Sequence, residues 1–160
     1  MNEITISATL QVYEDIKELP KEIQDLMTFA IKARHTAYAP YSKFHVGAAL
    51  LLDNKEVIIG SNQENASYPS GLCAERTAVY YAGAKYPKAK ILKMAITASS
   101  QNQVTDSPIP PCGACRQAIA EYEIKQDQPI AIYFMGAKGK VIKSDSLANL
   151  LPLLFDNSVL

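Results

Sequence analysis

The sequence has few cysteines, and their number argues against a disulfide framework. Three occur among 160 residues, an odd count that suits free or metal-bound thiols in a reducing compartment. The chain begins MNEITI, without the basic segment and apolar run of a secretory signal. It also lacks any stretch approaching the roughly eighteen apolar residues of a membrane span. These absences predict a cytoplasmic protein that does not associate with membranes.

The chain has no excess charge of either sign. Sixteen basic residues balance sixteen acidic ones, and the pI is about 6.7. Because no global basic field exists to attract phosphates, we expect no nucleic acid polymer as a partner. The composition does provide 48% apolar residues in a length of 160, which is typical of one globular domain with a substantial core.

The pattern of apolar residues predicts a mixed α/β fold. Helical spacing indicates helices over residues 20–37, 73–85, from 111 onward, and 147–151. Short apolar runs predict strands over residues 44–52, 57–60, 91–99, 130–135 and 140–143. The four-residue link 136–139 permits only an antiparallel hairpin between the last two strands. We therefore predict a three-layer α-β-α sandwich around a mixed five-stranded sheet, with the last two strands antiparallel.

The first nineteen residues stand apart from this pattern. Apolar and polar residues alternate over 2–12, which is strand periodicity. Their place ahead of the first helix makes them either an extra edge strand or a loosely held arm, and both alternatives stay open. The sequence is thus divided into an N-terminal extension, 1–19, and a single domain, 20–160.

All three cysteines fall in two motifs, CAER at 73–76 and PCGACR at 111–116. Both motifs lie where we predict helix N-termini, and a helix dipole stabilises thiolates there. The pair formed by Cys112 and Cys115 is a common half-site for zinc. With Cys73 as a third ligand, the fourth position of a tetrahedral ion stays open for water, which is typical of catalytic rather than structural zinc.

Glu75 gives this site a possible chemistry. Placed two residues after Cys73, it could exchange protons with a water on the ion, which is the arrangement of the zinc deaminases. Considered alone, an acidic residue in the first turn of a helix is explained by the dipole. Arg76 and Arg116 follow the cysteines closely and could donate hydrogen bonds to the sulfurs, offsetting the negative charge of three thiolates.

The cysteines also allow two simpler explanations. Cys112 and Cys115 could be structural or redox thiols while Cys73 is a core residue. A structural zinc site would require a fourth ligand, and the two histidines, His35 and His45, do not have ligand spacing. The combination of three cysteines with Glu75 favours zinc catalysis.

The two zinc motifs belong to a longer series of motifs. The stretches are APYSKFHVGAAL at 39–50, NQENASY at 62–68, CAERTA at 73–78, PCGACRQ at 111–117, and LLP at 150–152 with Phe155. Together they resemble the cytidine deaminases, specifically the short-chain class that assembles as homotetramers. The resemblance spans about residues 20–155 and leaves the first nineteen residues unmatched.

The resemblance implies one zinc ion per subunit, held by Cys73, Cys112 and Cys115. It implies that free cytidine and 2′-deoxycytidine are hydrolysed to the uridine products and ammonia, in pyrimidine salvage, with Glu75 as proton shuttle during attack of zinc-activated water on C4. The implied substrate contacts are Phe44 against the pyrimidine, Asn62 and Glu64 at the ribose 3′-hydroxyl, the Ala74 backbone at the base edge, and Tyr68 and Phe155 at sites shared between the subunits of a homotetramer. Arg76 is the implied moderator of thiolate charge.

Without the resemblance, the residue pattern would not assign these substrate contacts. Asn62 and Glu64 would be an ordinary polar loop, while Phe44 and Phe155 would be core packing. Two other functions stay open: deamination of another aminopyrimidine nucleoside or nucleotide, and a non-catalytic, zinc-stabilised binding role.

Overall fold

The computed structural model describes residues 1–157 of the chain. This part contains a six-stranded sheet and three α-helices. The helices are α1 (Lys21–Arg34), α2 (Ala74–Lys85) and α3 (Gly113–Lys125). The strands are β1 (Gln11–Tyr13), β2 (Phe44–Leu52), β3 (Val57–Ser61), β4 (Ile91–Ser100), β5 (Ala131–Met135) and β6 (Val141–Ser144). No helix in this part is long and apolar enough to cross a membrane.

The strands lie in the order β1-β6-β5-β4-β2-β3. Strands β4 and β5 run parallel, and every other neighbouring pair is antiparallel. Helix α3 lies in the long connection that a parallel pair requires. The prediction of a mixed sheet with its last two strands antiparallel is confirmed. The predicted number of five strands is wrong, because β1 adds a sixth strand at the edge of β6.

The helices form two layers on opposite faces of the sheet. Helix α1 packs over one face, in a core that includes Ala49 and Ala95. Helices α2 and α3 pack over the other face, in a core that includes Leu50 and Met94. Consecutive strand residues point to opposite faces, so Ala49 and Leu50 reach different layers. The predicted three-layer sandwich is confirmed.

The N-terminal extension is partly edge strand and partly exposed chain. Residues 11–13 pair antiparallel with β6. Because β6 has only four residues, almost none of it remains to pair with the alternating residues before Gln11. Residues 1–10 are exposed and belong to no helix or strand. Further along, Leu19 is 3% exposed and packs in the core beneath α1. Residues 11–19 therefore close the sheet edge and one end of the core.

The predicted helix over 147–151 is not an α-helix. Leu147–Asn149 form a single 3₁₀ turn, capped by Ser146 Oγ, which accepts a hydrogen bond from the backbone N–H of Ala148 at 3.1 Å. Only a turn fits before Pro152, which cannot continue a helix.

Gly60 determines how closely α2 approaches the sheet. A Cβ at this position would lie 2.5 Å from the carbonyl oxygen of Ala74 and 2.6 Å from the backbone nitrogen of Ala78. The first turns of α2 can therefore pack on β3 only because residue 60 has no side chain. Since Cys73 directly precedes α2, this contact also fixes the position of the first cysteine motif.

Candidate active site

The three cysteines meet where α2 and α3 begin. Cys73 is the N-cap residue of α2, Cys112 is the N-cap residue of α3, and Cys115 lies in the first turn of α3. Their sulfur atoms all lie within 4.8 Å of one another. The two helices thus bring together residues that are 39 positions apart in sequence.

The spacing of the sulfurs suits zinc. Tetrahedral coordination with Zn–S bonds of about 2.3 Å places two sulfurs roughly 3.8 Å apart. The Sγ atoms of Cys73 and Cys112 are 3.8 Å apart. Within residues 1–157 the cluster comprises three thiols and no fourth protein ligand, so an ion held here keeps one open position.

Hydrogen bonds favour a thiolate at Cys73. A hydrogen bond from Cys115, together with Arg76 and against the effect of burial, holds the pKa of Cys73 below its usual value. The same hydrogen bond and burial raise the pKa of Cys115. Arg76 Nη2 donates to Cys73 Sγ at 3.8 Å. The cluster therefore begins from one stabilised thiolate, which is the form that binds a metal.

Arg116 does not act on the sulfurs in the same way. Its Nε donates to the carbonyl oxygen of Pro111 at 2.8 Å, and its Nη1 donates to that of Leu150 at 2.7 Å. The suggested hydrogen bond to a cysteine sulfur is not among its contacts within residues 1–157, and its guanidinium instead ties the loop before Cys112 to the C-terminal segment.

Glu75 is buried beside the thiols. It lies in the first turn of α2 and is 4% exposed. Burial raises the pKa of Glu75 to about 7, with a contribution from the charge of Cys73. A carboxyl group whose pKa lies near neutral pH can both accept and return a proton, which general acid–base chemistry requires.

A cavity of about 700 Å³ opens onto this cluster. Its size lies within the range of small-molecule sites. Eight of the predicted site residues line it: Phe44, Asn62, Glu64, Tyr68, Cys73, Glu75, Arg76 and Cys112. Ala74 and Cys115 are fully buried and are not among the residues that line the cavity. Phe155 is 61% exposed and does not line the cavity of its own chain.

Residues 20–128 match the family described as the cytidine and deoxycytidylate deaminase zinc-binding region. The chain belongs to this cytidine deaminase family. A cytidine deaminase from Sporosarcina psychrophila is 40% identical over 137 residues, which are 84% of this chain and 91% of that protein. One from Halalkalibacterium halodurans is 49% identical over 98 residues, 61% of this chain and 70% of that protein.

The fold of the chain is similar to solved structures of the same family. The crystal structure of cytidine deaminase from Burkholderia pseudomallei matches with a TM-score of 0.71 and 36% sequence identity, covering 86% of this chain and 100% of that one. Family membership makes the chain a zinc-dependent cytidine deaminase family enzyme, and zinc the ion for the cluster of Cys73, Cys112 and Cys115.

The polar end of the cavity is built from the residues that follow β3 and the loop before β2. Glu64 accepts hydrogen bonds from the backbone N–H groups of Tyr41, at 2.9 Å, and Ser42, at 3.3 Å, and from Ser42 Oγ. Although desolvation acts in the opposite direction, these bonds lower the pKa of Glu64. Glu64 is therefore an ionised acceptor at neutral pH.

Asn62 is largely engaged with β2. Its Oδ1 accepts from the backbone N–H of Val46 at 2.8 Å, and its Nδ2 donates to the carbonyl oxygen of Phe44 at 2.9 Å. One amide hydrogen of Asn62 is left for a ligand. The side chain therefore holds Phe44 in place as well as facing the cavity.

Ten other residues line the cavity without a predicted role, among them Tyr41, Ser42, Ile109 and Pro110. The first two lie inside the APYSKFHVGAAL stretch, so the motif itself was the available signal. Ile109 and Pro110 lie in a polar, proline-rich loop whose pattern shows no periodicity. The ring of Tyr41 lies 6.0 Å from that of Tyr68, and Tyr68 is 75% exposed.

Proposed function

We propose that the chain catalyses the hydrolytic deamination of free cytidine and 2′-deoxycytidine to uridine and 2′-deoxyuridine, with release of ammonia. The observation that carries this proposal is that one cavity joins the thiol cluster and Glu75 to the ionised acceptor Glu64. The two ends suit a nucleoside, whose base carries the reacting amino group and whose ribose carries hydroxyl donors. We also propose that this reaction serves pyrimidine salvage in the cytoplasm, where thiols stay reduced.

Zinc, when bound, activates a water molecule for attack on C4 of the base. Glu75 accepts the proton that this water loses and delivers it to N3, which makes C4 more electrophilic. Glu75 then takes the remaining proton from the new hydroxyl group on C4 and transfers it to the amino group, so that ammonia leaves and the uracil carbonyl forms. Its burial excludes bulk water from these transfers.

The other cavity residues orient the nucleoside. Phe44 packs against the pyrimidine, and the backbone of Ala74 contacts the base edge. Glu64 and the remaining amide hydrogen of Asn62 bind the ribose 3′-hydroxyl. A nucleic acid polymer is rejected because its 3′-oxygen is esterified and cannot donate, which leaves the charged acceptor Glu64 without this hydrogen bond.

A nucleotide is a less favourable substrate for this cavity. In the described part of the chain, Arg76 is the only basic residue that lines the cavity, and its Nη2 is already engaged with Cys73. A substrate phosphate would require free basic groups or backbone N–H donors. We therefore favour unphosphorylated nucleosides over nucleotides.

We further propose that the enzyme is a homotetramer whose active sites are shared between subunits. Tyr68 and Phe155 support this proposal, because both are large apolar side chains exposed by 75% and 61% in a single chain. A neighbouring subunit would cover them and would place Phe155 against a cavity that it does not reach in its own chain.

Replacing Glu75 by glutamine tests the reaction and the shuttle together. Glutamine keeps the size of the side chain but cannot carry the proton, so we expect turnover to fall at least about a hundredfold. The loss of the cytidine absorbance band measures turnover, and zinc content is determined for each protein. Glu121→Gln, an exposed carboxylate on α3, is the matched control.

The possible results test the nucleoside substrate and the proton shuttle separately. If zinc-loaded wild-type protein changes neither cytidine nor 2′-deoxycytidine, the nucleoside assignment is refuted. If the wild type is active and a zinc-loaded Glu75→Gln variant is equally active, the reaction stands and the proton shuttle is refuted.

A further inference from the structure

Three hydrogen bonds leave the carboxylate of Glu64 with one free acceptor position. Within residues 1–157, Oε2 accepts from the backbone N–H groups of Tyr41 and Ser42, while Oε1 accepts from Ser42 Oγ alone. A carboxylate offers about four lone-pair positions, two on each oxygen. The unused position is therefore on Oε1, the oxygen that Ser42 holds with its side chain, and Glu64 lines the cavity.

The hydroxyl of Ser42 has a fixed orientation. Its single hydrogen is donated to Glu64 Oε1, and its oxygen accepts from the backbone N–H of Phe44 at 3.0 Å. Both partners line the cavity, one at its polar end and one on its apolar wall. The hydroxyl thus connects the acceptor for the sugar with the ring that faces the base.

The backbone around Ser42 is held independently of its side chain. Lys43 has a φ of 55°, in the left-handed region that non-glycine residues rarely adopt. Its N–H donates to the carbonyl oxygen of Ala39 at 3.2 Å, and its carbonyl oxygen accepts from Gln101 at 3.0 Å. Because these bonds hold the loop, a change at the Ser42 side chain should remove its two hydrogen bonds without moving the chain.

We propose that Ser42 is a positioning residue that sets the selectivity of this site for nucleosides with a free 3′-hydroxyl. It aims Glu64 Oε1 at that hydroxyl and keeps the acceptor at a fixed distance from Phe44. The inference rests on the proposed nucleoside function. It predicts that binding of the sugar depends on Ser42, whereas the chemistry at C4 depends on Glu75.

Two substrates isolate this role. 2′-Deoxycytidine and 2′,3′-dideoxycytidine differ only in the 3′-oxygen, so the ratio of their kcat/KM values measures the contribution of that contact. We expect Ser42→Ala to lower this ratio about tenfold, mainly through the KM for 2′-deoxycytidine, because a hydrogen bond to a charged group is lost. Ser42→Thr, which keeps the hydroxyl, should recover most of the ratio.

Ser70→Ala is the matched control. Ser70 is exposed near the cavity rim, its side chain has no hydrogen bond within residues 1–157, and its variant should keep the wild-type ratio. If Ser42→Ala does not fold, Ser42→Cys takes its place with the same expectation, since a thiol is only a weak donor.

Equal losses on both substrates in the Ser42 variants would overturn the inference, because a purely structural role lowers both rates alike. A wild-type protein that deaminates neither nucleoside would refute the proposed function itself. Wild-type activity with an unchanged ratio in Ser42→Ala would refute only the positioning role.

Discussion

Arg116→Met tests whether this arginine stabilises the metal site by anchoring the chain around it. The substitution keeps most of the apolar stem and removes the guanidinium. Two hydrogen bonds are lost, to the carbonyl oxygens of Pro111 and Leu150. The first of these carbonyls directly precedes Cys112, and the second begins the segment that leads to Phe155.

The structure gives the expected size of the effect. A hydrogen bond that involves a charged group contributes about 1.5–3 kcal/mol, and partial exposure of Arg116 places each bond at the low end. Two bonds therefore amount to about 3 kcal/mol, which lowers Tm by roughly 6–12 °C in a domain of this size. Loss of a residue that supports the ligands typically costs 10–100-fold in metal affinity, and we expect about tenfold.

Thermal unfolding of the zinc-loaded protein measures the first effect, and competition with a chromophoric chelator measures the second. Arg116→Lys should fall between wild type and methionine, because an ammonium group can reach one carbonyl but lacks the fork that spans two. Lys125→Met, at the exposed C-terminal end of α3, controls for the loss of a positive charge on this helix.

A variant with wild-type Tm and wild-type zinc affinity would refute the anchoring role. Weaker zinc binding with an unchanged Tm would refute it in another way, because it would mean that Arg116 acts on the thiolate charge, as Arg76 does.

Two further predictions concern stability and assembly. Glu123 accepts hydrogen bonds from the backbone N–H groups of Ile130 and Leu147 and from Ser146 Oγ, at 2.7, 3.0 and 2.6 Å. Glu123→Ala leaves two buried N–H groups unpaired, so the free energy of unfolding in urea should fall by about 2–4 kcal/mol, and an unchanged value would contradict this account. Light scattering should give the mass of four chains, and Phe155→Ala should lower turnover without lowering the zinc content. A fully active monomer would exclude shared active sites.

The metal centre could be predicted because its signals are local. Cys73 and Cys112 each precede a helix, and the spacing within each motif determines where the thiols point. The buried strands β2 and β4 could also be predicted from the sequence, because both are long and mostly apolar. In each case the residues that carry the signal are close together in sequence.

The remaining features depend on distant partners. Arg116 bonds to Leu150, 34 residues away, and Ser42 bonds to Glu64, 22 residues away. Such pairs form only after the C-terminal segment and β3 have returned to the site, so a single sequence does not reveal them. Strand β1 was ambiguous for the same reason, because its three residues become a strand only where the edge of β6 is available.

The position of β1 has a practical consequence for attaching the protein to other molecules. Four strand spacings separate β1 from β2, and at about 4.8 Å each they amount to roughly 19 Å across the sheet. Phe44 and the thiol cluster lie near β2, whereas residues 1–10 precede β1, at the opposite edge, and are exposed. A fluorophore, fusion partner or surface tether joined just ahead of residue 10 would therefore be attached at the edge of the sheet remote from the cavity of the same chain.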